Sequence, residues 1–444
     1  MHIFPYLIIA APIIACAFYK WEIRAAGIAA GVADVILSVM IYFQSPFHGV
    51  FYVDFTSWIF LVMVSSIYLA STIYSLNYMK DIQVRGISEK TYYALLNLFS
   101  ASMFFTLLMN NYGFMWVGIE ATTICSALLI IGEKSDVSLE AAWRYIILVS
   151  AGVAFAFISI ILIYYQFHTL NVYDIIHTNP AGGLLERIIV AIALIGFGTK
   201  TGVFPVHTWL PDAHSEAPAP VSAMFSGVLL PVALYVLYRI YQIDPFPLLY
   251  TWFAVISIAV SSLFLAYQRN YKRMFAYSTM ENMNMALLGF AMGGVGVIGA
   301  LLLLITHSFA KSGAFFSSGN IMKSTGKKNI DEIGGLWKGM PWTSTSLVFS
   351  SMAASGAPPF GVFIGEFFIL SALAGQNIIQ FSIVIFFVMT AFIGVNYNIS
   401  SMVFRGSSEN SEPGWLMTGT AIACAAISLL IGIFLLGGYV NALV

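Results

Sequence analysis

Six ionisable residues lie where an apolar chain should not carry them. Asp34, Glu120, Lys200, Glu281, Lys311 and Glu366 each fall inside a largely uncharged stretch of about 20 residues, the length that crosses a bilayer. Each such group near mid-membrane costs about 2.5–3.5 kcal/mol on insertion scales, so six come to roughly 15–20 kcal/mol if additive. That exceeds the whole stability of a typical domain, and some function must maintain it. Amines and carboxyls at this depth can take up and release protons. His307 precedes Lys311 by four residues, so the two project from one helical face. An imidazole that titrates near pH ~6.5 passes protons at neutral pH, and beside a lysine it reads as a relay. The competing reading is structural: an ion pair, a satisfied core histidine, or a side chain snorkelling to water from a span end. It weighs most on Asp34 and Lys311 and least on Glu120, Lys200 and Glu366, which lie well inside their spans.

The elements that must hold these groups follow from composition. Of 444 residues, 59% are apolar and only 9% charged, against about 25% charged in a soluble protein. A water-facing surface cannot be built from this alphabet, so the fold class is an all-α integral membrane protein. The net charge of −1 excludes the clustered basic surplus that nucleic-acid binding requires. Apolar segments between charged or Pro/Gly/Asn-rich breaks predict fourteen transmembrane helices with cores at 4–19, 26–44, 56–78, 91–109, 112–132, 143–165, 186–208, 219–242, 247–267, 271–292, 295–321, 343–373, 379–404 and 415–437. The first lacks a basic leader and reads as a retained span, not a cleaved signal. Odd-numbered loops then hold fifteen lysines and arginines, Arg85 and Lys134 among them, and even-numbered loops only Arg187 and Arg239. The positive-inside bias therefore supports the count and predicts both termini outward.

Two spans are broken by proline. The seventh has Pro205 five residues after Lys200, and the twelfth has Pro358 and Pro359 shortly before Glu366. Backbone freed by such breaks is tolerated at depth only beside protein or a water-filled cavity. Lys200 then lies near the negative end of its half-helix and Glu366 follows the positive end of its own, both favourable signs. The spacing also repeats: 80 residues from Glu120 to Lys200, in helices five and seven, and 85 from Glu281 to Glu366, in helices ten and twelve. A displacement of five helices makes the copies antiparallel, and inverted repeats with broken helices point to an ion transporter. The predicted organisation is helices one to three over 1–90, a first five-helix repeat over 91–242, a second, inverted repeat over 247–404, and helix fourteen over 415–444.

These residues also carry a resemblance. The run KTGVFPVHTWLPDAHSEAPAP from Lys200 to Pro220 resembles the most distinctive stretch of the antiporter-like, proton-translocating subunits of respiratory complex I and multi-subunit sodium/proton antiporters. WVGIEATT around Glu120, THSFAKSGAFF around His307 and Lys311, IGGLWKGMP around Lys338 and GAPPFGVFIGEF around Glu366 support it, and the similarity runs from about helix four to helix thirteen. IEATT, EAAWRYIIL, GTKTGVFP and AYSTMENM are most similar to component F of hydrogenase 4 and related membrane-bound nickel–iron hydrogenase subunits. The resemblance implies a proton channel in which Glu120 tunes Lys200 and a hydrated axis leads through His307 and Lys311 to Glu366. Two departures stand out. Complex I members usually place a second lysine on the eighth helix, where this chain reads LLPVALYVLYR, so water or His307 must bridge. Hydrogenase relatives often have Glu-His where this chain has Glu281-Asn282. No long lateral helix is expected after helix fourteen.

Glu281, His207, His214 and Asp34 complete the set as accessory groups. His207 and His214, seven residues apart, fit neither one helical face nor a short zinc pair, so no metal site is expected, and His207 reads as a gate or structural contact. Cys16, Cys125 and Cys424 lie more than 100 residues apart, which excludes a CxxC redox motif. No phosphate-binding glycine loop is present. The chain is therefore expected to bind no cofactor, with nickel–iron and iron–sulfur centres confined to partner subunits. Expected partners are lipid, protons or sodium, other membrane subunits and, through them, a peripheral redox arm. The expected location is the plasma membrane of a bacterium or archaeon. A sodium/proton antiporter component without a redox partner, a complex I membrane subunit and a non-transporting scaffold are the rival readings.

Overall fold

In a bilayer every backbone N–H and C=O must be satisfied within the chain, which leaves helices as the element for long apolar runs. The computed structural model describes residues 3–81, 87–133, 135–178, 182–407 and 410–437; Arg85 and Lys134 of the loop count lie outside the described residues. Among those described there is no strand, only isolated β-bridges. The helices are α1 Phe4–Ala17, α2 Ile23–Tyr42, α3 Phe55–Asp81, α4 Glu89–Leu108, α5 Tyr112–Ile130, α6 Asp136–Phe167, α7 Val172–His177, α8 Leu184–Thr201, α9 Trp209–Glu216 and α10 Ala219–Met224. A π-turn over Phe225–Leu229 leads into α11 Leu230–Tyr241, followed by α12 Pro247–Ala266, α13 Tyr271–Met292, α14 Val295–Thr325, α15 Leu336–Gly339, α16 Pro341–Ala354, α17 Gly361–Gln376, α18 Ile378–Phe404 and α19 Trp415–Leu436.

Each of the fourteen expected spans falls on one of these helices or on a broken pair. Ten are long and apolar enough to cross a membrane, and the stretches Phe4–Lys20 and Gly361–Gln376 are shorter apolar helices. The other two, α8 and α13, are less apolar because they carry Glu186, Arg187 and Lys200 in one case and Glu281, Asn282 and Asn284 in the other. The seventh span breaks after Thr201 and the twelfth between Ala354 and Gly361, around the prolines at 205 and at 358 and 359. The eighth is not one regular helix. Pro231 has no N–H to offer the Gly227 carbonyl four residues earlier, and the backbone widens there into the π-turn.

The described residues group into two compact units. One is drawn from Met1–Thr72, Val84–Trp209 and Val228–Leu249, the other from Ile73–Gln83, Leu210–Gly227 and Tyr250–Val444. In the first, α6 packs along α8; Gly196 permits this, since a Cβ there would strike the Ala156 backbone. In the second, α14 is the hub, packed by α13, α16, α17 and α19.

Arg239 corrects the loop count. Instead of facing water it is 1% exposed within α11. Its guanidinium donates to Asp54 at 2.5 Å, to Ser57 Oγ at 3.1 Å and to Gln242 Oε1 at 3.3 Å, and lies 4.9 Å from the ring centroids of both Tyr52 and Tyr235. A buried cation persists where it is paired and hydrogen-bonded, and here the partner stands 185 residues away in sequence.

Candidate functional site

The first unit holds one site. Lys200, in the last turn of α8, is fully buried. Its helix ends in a glycine C-cap, with Gly202 at φ 83°, a conformation glycine adopts without steric cost. The Lys200 ammonium donates to the Ile119 carbonyl at 3.1 Å and to the Thr123 hydroxyl, and stands 5.9 Å from the Tyr145 ring centroid. Both acceptors belong to α5, the helix of Glu120. The Glu120 carboxylate lies in electrostatic reach of Lys200 but forms no ion pair with it; Oε1 accepts from the Ser150 hydroxyl at 3.4 Å and Oε2 has no hydrogen-bond partner. Glu120 thus stands near Lys200 without being bonded to it. His207, in the turn after α8, is 4% exposed with its ring 5.8 Å from that of Phe204.

The second unit holds a larger set. Lys311, fully buried on α14, donates to Ser278 Oγ at 2.6 Å and to the Phe275 carbonyl at 3.3 Å. Both acceptors belong to α13, the helix of Glu281. Lys200 and Lys311 are therefore held alike, each by one carbonyl and one hydroxyl of a helix that also carries a glutamate. Such sites satisfy an ammonium by polar neighbours while leaving it free of a tight counter-ion.

Glu281 lies in electrostatic reach of both Lys311 and Glu366. Asn282 Nδ2 donates to Glu281 Oε2 at 2.8 Å, to the Ser278 carbonyl at 2.9 Å and to the Ala354 carbonyl at 2.9 Å. The asparagine so ties the carboxylate to the open C-terminal end of α16, where carbonyls lack helical partners. Glu281 Oε1 is buried without a partner. Past the break, Glu366 is 5% exposed on α17 and packs against Gly356, where a Cβ would overlap the carboxylate. Gly356 also has φ 73°.

His307 stands one turn before Lys311, fully buried, in electrostatic reach of it. Its Nε2 is 3.3 Å from the Ser226 carbonyl, a contact that requires Nε2 to carry the proton and leaves Nδ1 as the basic atom; Nδ1 has no hydrogen-bond partner. Ser308 Oγ donates at 2.6 Å to the Gly227 carbonyl, the one Pro231 leaves unserved. His214 on α9 stacks on Phe315 with centroids 4.9 Å apart, and neither ring nitrogen has a partner.

Among the residues the sequence singles out, the structure groups Glu120 with Lys200, and His307, Lys311, Glu281 and Glu366 with one another. His214 also lies in electrostatic reach of Lys311, and Asp34 joins neither group. Thr123 and Ser278 are hydroxyl members that sequence reading passes over, and Asn282, noted in the sequence only as a departure from relatives, bonds the Glu281 carboxylate; the signal for the hydroxyls was a spacing of three residues from each glutamate, on opposite sides.

Two buried lysines, each held by a glutamate-bearing helix, with helix breaks after Lys200 and before Glu366, define an antiporter-like membrane subunit. A family model described as NADH:quinone oxidoreductase/Mrp antiporter, transmembrane, matches residues 109–394, and the chain belongs to that family. A relative named hydrogenase-4 component F homolog, from Methylacidiphilum infernorum (isolate V4), is 32% identical over 362 residues, 76% of this chain and 75% of the relative. NADH-quinone oxidoreductase subunit N of Desulforudis audaxviator (strain MP104C) is 30% identical over 347 residues, covering 74% and 68%. A solved structure of the membrane-bound sulfane sulfur reductase, an archaeal respiratory membrane complex, superposes with a TM-score of 0.88 at 22% identity over 97% of this chain and 94% of that one. The likeness shows the shared fold. The chain is a multi-pass membrane protein whose structural neighbours are subunits of multi-subunit membrane complexes.

Proposed function

We propose that this chain is the proton-translocating subunit of a membrane-bound, complex I-related oxidoreductase of the hydrogenase 4 or formate hydrogenlyase type. The observation that carries the reading is the matched pair of lysine sites. Each ammonium is fully buried and bound by a carbonyl and a hydroxyl, with a carboxylate close enough to favour its charge but not bonded to it. A change in the carboxylate's protonation or position then decides whether the lysine keeps its proton. In the second unit the order of electrostatic neighbours, His307, Lys311, Glu281, Glu366, supplies successive groups that can each take one proton and pass it on. Nickel–iron and iron–sulfur chemistry belongs to partner subunits of a peripheral arm, and this chain supplies the path. The setting is the plasma membrane of a bacterium or archaeon, with both termini outward and the helices of 91–242 and 247–404 acting as inverted repeats.

The test is Lys200→Ala in the native complex. Proton translocation in inverted vesicles should be lost while subunit content stays intact; translocation at the wild-type level would defeat the reading. Copurifying hydrogenase subunits support the hydrogenase type. A sodium flux without any redox partner would instead support the sodium/proton antiporter reading, which the family description also covers.

A further inference from the structure

Asp34 is the one buried carboxylate outside both sites, among the described residues, whose oxygens have no hydrogen-bond partner; Glu186, also buried, accepts from Gln166 Nε2 at 2.8 Å. It lies midway along α2, is 0% exposed, and neither oxygen has a hydrogen-bond partner. The helices around it converge polar groups on one place. Tyr68 of α3 lies in electrostatic reach of Asp34 and of Cys16 on α1, but its hydroxyl is given to Asn97 Oδ1 of α4 at 2.8 Å. Gly31, just under one turn before Asp34 on α2, lets the α3 backbone approach at Leu69, and Gly27 brings Asn97 and Thr72 close. Ser38, one turn past Asp34 on the same face, is also 0% exposed, and its hydroxyl has no partner. Of the titratable groups on these helices, the Tyr68 phenol is the one in electrostatic reach of Asp34, and no basic side chain is among the described groups that reach it.

An ionised carboxylate here would lack every form of compensation. Buried charges are retained when paired or hydrogen-bonded, and otherwise neutralise. A hard cation does not remedy this, because such ions collect a shell of oxygens, whereas the unpartnered oxygens here come from two side chains on one helical face. A single proton removes the charge, and with it the need for a counter-ion or a set of donors.

We propose that Asp34 is a separate proton-binding site, a neutral carboxylic acid among the first four helices that exchanges its proton independently of the lysine sites. It lies outside the matched region 109–394 and does not rest on the function proposed above. Infrared spectroscopy of the purified complex tests it. At neutral pH the wild type should show a carboxylic-acid carbonyl band that shifts in deuterium oxide, vanishes in Asp34→Asn and persists in Lys200→Ala. Should Asp34→Asn fail to assemble, Asp34→Glu should move the band, and in the wild type dicyclohexylcarbodiimide, which adds to protonated carboxyls, should modify the Asp34 peptide by mass spectrometry. An acid region unchanged by the substitution, with no adduct at Asp34, overturns the proposal. A band that appears only when sodium is withdrawn also overturns it, in favour of a cation site.

Discussion

The Lys311 ammonium donates to the Ser278 hydroxyl at 2.6 Å, one turn from Glu281 on the same helix. Lys200 makes the corresponding bond to Thr123, one turn from Glu120. Each hydroxyl can swing between accepting from its lysine and accepting from elsewhere, so it is a natural place for a proton carrier to let go. Ser278→Ala removes an acceptor from a buried cation. Hydrogen bonds to charged groups contribute about 1.5–3 kcal/mol, or about ten- to hundredfold if all of it fell on the barrier. With water able to enter the vacated space, translocation should fall about tenfold, and Thr123→Val should match it on the Lys200 side. Rates in inverted vesicles, with subunit content checked, decide this; no change in either variant would mean that the hydroxyls only pack.

Glu120 makes no ion pair with Lys200, and its one hydrogen bond comes from Ser150 at 3.4 Å. Glu120→Gln keeps the shape and an oxygen for Ser150 but loses the charge that Lys200 senses. It should therefore slow translocation less than Glu120→Ala, which loses shape and charge together. Equal loss in both variants would show that charge alone matters, and normal rates in Glu120→Gln would remove the carboxylate from the mechanism.

Asp54, in the loop before α3, gives a pH-dependent stability. Burial works to raise its carboxyl, but the Arg239 guanidinium and the Ser57 N–H and hydroxyl outweigh burial and hold it below the ordinary value. A depressed carboxyl contributes stability in full above its unfolded value, about 4, and loses it as pH falls through the folded value. Asp54→Asn should therefore destabilise the protein at pH 7, by no more than the about 3–5 kcal/mol found when one partner of a buried pair is removed, and lower its unfolding temperature accordingly. That gap should close in acid. Thermal unfolding of detergent-solubilised protein at several pH values measures it, and a gap that stays constant with pH would show that the pair is not the source.

Most of the helices were legible because charge and proline punctuate an otherwise uninterrupted apolar sequence, and because a buried lysine or glutamate is too costly to pass unnoticed. What escaped reading depends on distance in sequence. Arg239 looks like a loop residue until Asp54, 185 positions away, is seen to pair with it. Thr123 and Ser278 look like ordinary helix hydroxyls, since nothing local says that a lysine 77 or 33 residues on will reach them. Glu281 is matched with Glu366 by the repeat spacing alone, whereas folding also brings it within reach of Lys311. Its neighbours on both sides are thus titratable groups.

Glu281 supplies the last and sharpest prediction. If protons pass one after another along Lys311, Glu281 and Glu366, the slowest step limits all of them, and Glu281→Gln should impair translocation as severely as Glu366→Gln and Lys200→Ala. His307→Ala should be milder than Lys311→Ala, because water in a hydrated axis can stand in for an imidazole but not for a fixed charge. Gly356→Ala tests position without altering any titratable group. Its Cβ would meet the Glu366 carboxylate, and alanine is strained at φ 73°, so it should reproduce most of the Glu366→Gln defect while the carboxyl remains. Protons moved per electron should be measured for all six variants in one membrane preparation. Normal pumping by Glu281→Gln, with Glu366→Gln inactive, would mean that Glu366 receives its protons by another route, and the order Lys311, Glu281, Glu366 would be wrong.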